Sequence, residues 1–207
     1  MTGDGDPGAA GERGDGAEAA EVVEVVVETP AGSRNKYELD ERSGRFHLDR
    51  RLPSATVYPA DYGFVPGTLG RDGDPLDALV LVEEPTFPGC VISGRVLGML
   101  VMEDEHGHDP KLIVVPEGEP RWREARGLED VPQSLRDEIE HFFAVYKDLE
   151  PGREARTFGF GDLEAALKEL RAAGGRAGGA SGGAGGESGA GGAGGASGEA
   201  GLDGREE

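Results

Sequence analysis

Apolar and polar positions follow a strand-like pattern over most of the chain and turn helical only towards its C-terminal third. Val22-Val23-Glu24-Val25-Val26-Val27-Glu28 is a β-branched run that stops at Thr29-Pro30, which predicts a strand closed by proline. Asn35 to Leu39 and Phe46 to Asp49 read as two short strands joined by a turn at Ser43-Gly44. Ala78 to Val82 is a compact apolar strand. Val91 to Met102 is a longer one, and Leu112 to Val115 is its expected partner across an acidic loop.

The period then changes. Leu135, Ile139, Phe142, Phe143 and Tyr146 recur at helical spacing, with Asp130 and Gln133 at capping-box spacing and Pro132 in the first turn. A second helix is predicted from about Gly161 to Leu170, carried by Leu163, Ala166, Leu167 and Leu170. Short strands followed by two helices imply a mainly β fold with flanking helices (α+β), a closed or partly closed β-barrel.

Composition sets the limits of that domain. Residues 1–20 are mainly Gly, Ala, Asp and Glu, and residues 172–207 repeat Gly-Gly-Ala units. Neither end has enough apolar side chains to offset the entropy of ordering, so both are expected to be disordered. Residues 21–171 are the expected folded domain.

The net charge of −20 excludes the general nucleic-acid binder and the anionic-membrane binder, both of which need a basic face. An acidic protein still binds an anion when metal cations lie between its carboxylates and the ligand. The single cysteine, Cys90, permits no intrachain disulfide and reads as a buried thiol. With no apolar leader after Met1, the expected location is the cytoplasm.

Two acidic stretches carry the candidate chemistry. Asp72-Gly73-Asp74-Pro75-Leu76-Asp77 is either a solvated turn leading into a strand or a cation site, and its glycine and glutamate positions do not fit an EF-hand. Glu103-Asp104-Glu105-His106-Gly107-His108-Asp109-Pro110-Lys111 is either a charged hairpin loop or a second wall of the same site. If the two converge, the oxygen-rich cavity suits magnesium or manganese; His106 and His108 fit other metals better. Lys36, Arg50, Lys111 and Lys147, with Tyr58, Tyr62 and Tyr146, are either ordinary edge residues or a phosphate clamp of ammonium, guanidinium and phenol donors. Spacing alone does not decide.

Six elements in order do. Lys36-Tyr37-Glu38, Asp49-Arg50, Tyr58-Pro59-Ala60-Asp61-Tyr62-Gly63, Asp72 to Asp77, Asp104 to Lys111 and His141 to Glu150 together resemble the soluble inorganic pyrophosphatases of the magnesium-dependent barrel family, bacterial type. The resemblance implies a five-stranded barrel of the oligonucleotide-binding (OB) type with two C-terminal helices. It implies hydrolysis of pyrophosphate to two orthophosphates by a metal-activated water, with several Mg2+ ions per site and Mn2+ as a substitute.

Residue by residue, Asp72, Asp77 and Asp109 resemble the ligands of the activating metal pair, and Asp104 a ligand of a further ion. Glu28 and Glu38 resemble carboxylates lining the same cavity. Asp74 resembles the proton acceptor. Lys36, Arg50, Tyr62, Tyr146 and Lys147 resemble the pyrophosphate-binding set, with Tyr58 and Lys111 supporting it. The resemblance also implies a homo-oligomer, commonly a hexamer; Val145 stands where the family's helix often has a second histidine.

Overall fold

The computed structural model describes residues 21–181. The predicted disorder of residues 1–20, and of the chain beyond 181, lies outside the described residues. Nine strands and two α-helices follow one another: β1 (Val22–Thr29), β2 (Asn35–Asp40), β3 (Arg45–Arg51), β4 (Asp61–Phe64), β5 (Asp77–Val80), β6 (Val91–Asp104), β7 (Gly107–His108), β8 (Lys111–Pro116), α1 (Gln133–Val145), β9 (Ala155–Gly161) and α2 (Leu163–Ser181). Two short 3-10 turns, Pro120–Trp122 and Leu128–Asp130, precede α1.

The main sheet runs β1-β4-β5-β8-β6, and β6 pairs back onto β1, so five strands close a ring. Closure removes the exposed edges that a short sheet would otherwise present. It depends on a glycine. Gly63 in β4 crosses so close to β1 that an added Cβ would lie 2.8 Å from the Val27 Cα, against backbone that cannot give way. The small β7 and the longer β9 extend the far end of β6, and β2 and β3 form a separate antiparallel hairpin.

Alternation explains the barrel wall. Val23, Val25 and Val27 of β1 are buried, while Glu24 faces solvent. Two apolar clusters sandwich the wall. One joins Leu100, Met102 and Ile113 to Ile139, Phe142 and Phe143 of α1. The other joins Val23, Val25 and Val96 to Ala166, Leu167, Leu170 and Ala173 of α2.

Four expectations need correction. Asp130 does not cap α1, whose N-cap is Pro132 with no side-chain hydrogen bond. Its carboxylate instead accepts from the Arg126 and Gly127 backbone N–H groups at 2.7 and 3.3 Å, and so closes the preceding 3-10 turn. The expected boundary at residue 171 falls inside α2, because Ala173 continues the buried stripe of Ala166, Leu167 and Leu170. Cys90 is only half-buried, since it stands in a loop ahead of β6 rather than in the core. β4 and β9 are strands that hydrophobic patterning had not marked. Among the described residues, no helix is long and apolar enough to cross a membrane.

Candidate active site

One cavity of about 370 Å³ opens at the end of the barrel, and every residue to which the resemblance gave a role lines it. Each arrives for a local reason. The β1–β4 pairing shifts register between Val27 and Thr29, and this bulge turns Glu28 away from the wall. The Glu28 carboxylate accepts from the Leu39 backbone N–H at 2.8 Å and so ties the hairpin to the barrel. A second shift, between Lys36 and Tyr37, sets Lys36 opposite Arg50, with Glu38 two residues further along β2.

The acidic loop before β5 supplies Asp72 and Asp74. Gly73 sits at φ +99°, a backbone state that side chains resist, and the Asp74 N–H donates to Asp72 Oδ1 at 3.2 Å. Asp77 opens β5, which runs parallel to β8 with Asp77 in register with Lys111. Asp104 ends β6, and Asp109 follows β7. Tyr146 and Lys147 leave the C-terminal end of α1.

An aromatic cluster forms the floor. Tyr58 packs on Phe142 with ring centroids 4.8 Å apart and on Tyr62 at 5.3 Å, and Tyr146 stacks on Phe142 at 5.4 Å. Packing of this kind fixes the rings and leaves their hydroxyls at the cavity. Burial pushes the phenols of Tyr58, Tyr62 and Tyr146 well above their ordinary pKa, so each stays protonated and able to donate. The Tyr62 hydroxyl donates to Asp77 Oδ2.

The charges are arranged as interleaved pairs. Lys111, 2% exposed, donates to both Asp77 and Asp109. Burial alone would lower its pKa, but the two carboxylates outweigh burial and hold it above the usual lysine value. Burial raises the Asp109 carboxyl; Lys111 opposes this and Asp77 adds to it. Lys147 donates to Asp104 Oδ2 at 3.0 Å and to Glu105 Oε2 at 2.8 Å. Glu105 is held at about 2: burial pulls upward, and the Lys147 hydrogen bond is the chief opposing influence. Arg50 pairs with Asp49 and, through Nε, with Glu150 Oε2 at 3.0 Å.

Unpaired carboxylates behave differently. Glu28 rises from 4.5 to about 7, first through burial and then, against the opposing Leu39 N–H, through Asp77. Asp74 is raised by burial and then by Asp72, Asp77 and Glu38. Such crowding marks a cavity short of positive charge. Carboxylate oxygens make up most of the donors, with His106 beside them, and such a set fits a hard divalent cation better than zinc. As they stand, no three such side chains among the described residues are drawn together tightly enough to chelate an ion. The ammonium groups of Lys111 and Lys147 each hold two carboxylates instead.

The sequence reading missed Glu105 and Glu150, which anchor Lys147 and Arg50. Both lie in stretches already singled out, but only the fold identifies their partners. His106 lines the cavity; His108 lies behind it, 3.7 Å from Glu169.

The family model described as inorganic pyrophosphatase matches residues 25–177. An inorganic pyrophosphatase of Leifsonia xyli is 55% identical over 148 residues, covering 72% of this chain and 91% of its own length. One of Streptomyces coelicolor is 52% identical over 158 residues, covering 73% and 97%. The crystal structure of inorganic pyrophosphatase from Thermus thermophilus superposes with a TM-score of 0.74 at 49% identity, covering 78% of this chain and 94% of that one. With the family model spanning most of the chain and relatives above half identity along nearly their full length, this chain belongs to the inorganic pyrophosphatase family.

Proposed function

We propose that the cavity hydrolyses inorganic pyrophosphate to two orthophosphates, with divalent metal, most simply Mg2+, held by Asp72, Asp77 and Asp109 and by Asp104 and Glu28 around them. The observation that carries this reading is the single cavity into which the barrel, the hairpin and the end of α1 bring carboxylates, cations and protonated phenols together. Bound magnesium would supply an acidified water and neutralise phosphate charge. Mn2+ meets the same oxygen donors.

The chain's own residues divide the remaining work. Asp74, whose carboxyl is raised by burial and by its acidic neighbours, takes the proton of the attacking water; a raised pKa makes it a better acceptor near neutral pH. Lys36, Arg50 and Lys147 hold the phosphoryl oxygens and lower the repulsion that an incoming nucleophile meets. Tyr146 donates a hydrogen bond to the same oxygens, Tyr62 does so once its hydroxyl is released from Asp77, and Tyr58 packs on Tyr62 and on the Phe142 ring that stacks on Tyr146. Lys111, fixed between Asp77 and Asp109, keeps two acidic side chains together, and Glu38 holds Lys36.

A cytoplasmic homo-oligomer is part of the same reading. The unpaired thiol of Cys90 supports the compartment, and the exposed Leu48, Phe87, Val91, Leu149 and Phe158 support association. A hexamer is the form the family resemblance implies. The net charge of −20 supports a small anion met through metal, rather than a nucleic acid, as partner. A substrate panel tests the specificity: phosphate release from magnesium pyrophosphate is expected to exceed release from tripolyphosphate and ATP. Equal or faster release from either would make this a general polyphosphate hydrolase.

A further inference from the structure

Behind the acidic loop, on the side away from the cavity, α2 presents a carboxylate that the proposed reaction does not use. Glu169 is 8% exposed, an uncommon state for a glutamate. Its Oε1 lies 3.1 Å from Arg176 Nη2, one helical stretch further along α2. Its Oε2 lies 3.4 Å from Arg71 Nη2 and 3.7 Å from His108 Nε2. Arg71 immediately precedes Asp72, and His108 immediately precedes Asp109. A single buried carboxylate thus reaches both acidic loops.

Arg176 completes the arrangement. Its Nε donates to the Leu69 carbonyl at 2.7 Å, and the Leu69 N–H donates to the Ala173 carbonyl at 3.1 Å. The next residue, Gly70, donates to the Asp74 carbonyl at 2.6 Å and closes the turn that carries Asp72 and Asp74. The turn is tight: a Cβ on Gly70 would come within 2.6 Å of Asp72 Oδ1. The base of this loop is therefore pinned to α2 through backbone groups, while its tip faces the cavity.

We propose that Glu169 and Arg176 are positioning residues that clamp the Asp72–Asp77 loop to α2 and hold it in register with the Asp109 loop. The inference rests on the reading of these loops as the cation site. Groups of this kind act by fixing the orientation of ligands they do not replace, and their loss weakens metal binding while the ligands remain.

The test is calorimetric titration of Mg2+ into the full-length wild type and its Glu169→Gln, Glu169→Asp and Arg176→Gln variants, with circular dichroism as the folding control. Glu169→Gln is expected to weaken Mg2+ binding about tenfold, in line with other outer-shell losses. Glu169→Asp should recover part of that loss. Arg176→Gln separates positioning from simple charge. Loss of a positive charge near a cation site would by itself tighten binding, whereas loss of the clamp weakens it. Unchanged or tighter binding in folded Arg176→Gln would overturn the proposal even if Glu169→Gln does not fold. A wild type that binds no Mg2+ would overturn the cation-site reading itself.

Discussion

Lys36 and Arg50 face one another directly across the β2–β3 hairpin. Like charges at opposed positions destabilise a two-stranded ribbon, so the hairpin needs anions nearby. It has several: Glu38 and Asp49 beside Lys36, and Asp49 and Glu150 beside Arg50. A phosphoryl group entering between the two cations would supply another, and the pairing is then a binding device rather than a fault.

The first prediction concerns Arg50. Its Nε is occupied by Glu150, which orients the rest of the guanidinium fork. Replacement by alanine removes a charge-assisted contact of about 1.5–3 kcal/mol, so kcat/KM for pyrophosphate should fall roughly 10- to 150-fold. Arg50→Lys should recover little, because an ammonium cannot bridge Glu150 and substrate with the same geometry. Steady-state kinetics of the two variants checks this; a fully active Arg50→Lys would remove the fork from the account.

The second concerns pH. The Glu28 carboxyl titrates near 4.5 ordinarily and at about 7 in the fold. Between those values the unfolded chain has released a proton that the folded protein still holds. The contribution of Glu28 to stability is therefore lost as pH rises through the window, and the loss is complete above about 7. Glu28→Gln should raise the Tm of metal-free protein by a few degrees near pH 8 and leave it unchanged near pH 4. The same variant should bind Mg2+ more weakly. Thermal melts at the two pH values decide it: an equal shift at both would detach the effect from this carboxyl.

The third concerns the end of the domain. A chain stopped after Leu170 lacks Ala173, which is fully buried, and the Arg176 contact with the Leu69 carbonyl. It should melt several degrees below the full chain, whereas a chain stopped after Ser181 should melt with it. Equal melting of all three would show that the last turns of α2 add nothing to the fold.

Much of this molecule was legible in advance, and the reasons differ by element. β1 alternates Val23, Val25 and Val27 inward, and a periodic signal of that kind survives in sequence. β4 carries none: Asp61, Tyr62 and Gly63 are all buried, so no face is left polar, and its length of four residues gives too little pattern. In β9 the glycines Gly159 and Gly161 mask a strand that is read only from its pairing with β6.

The residues that line the candidate cavity were marked by motif order, not by spacing. Several of the hydrogen bonds that organise it are long-range: Arg50 to Glu150 spans 100 residues and Arg71 to Glu169 spans 98. The fold alone brings such partners together, which is why Glu105, Glu150 and Glu169 went unread.

The most direct test of the central claim is phosphate release from pyrophosphate by wild type and Asp74→Asn, each with and without Mg2+. The account predicts rapid release by wild type only when Mg2+ is present. For Asp74→Asn it predicts a fall on the order of a hundredfold or more, with folding and Mg2+ binding retained. Wild-type turnover in Asp74→Asn would remove Asp74 as proton acceptor, and no release from folded, magnesium-loaded wild type would contradict the proposed reaction itself.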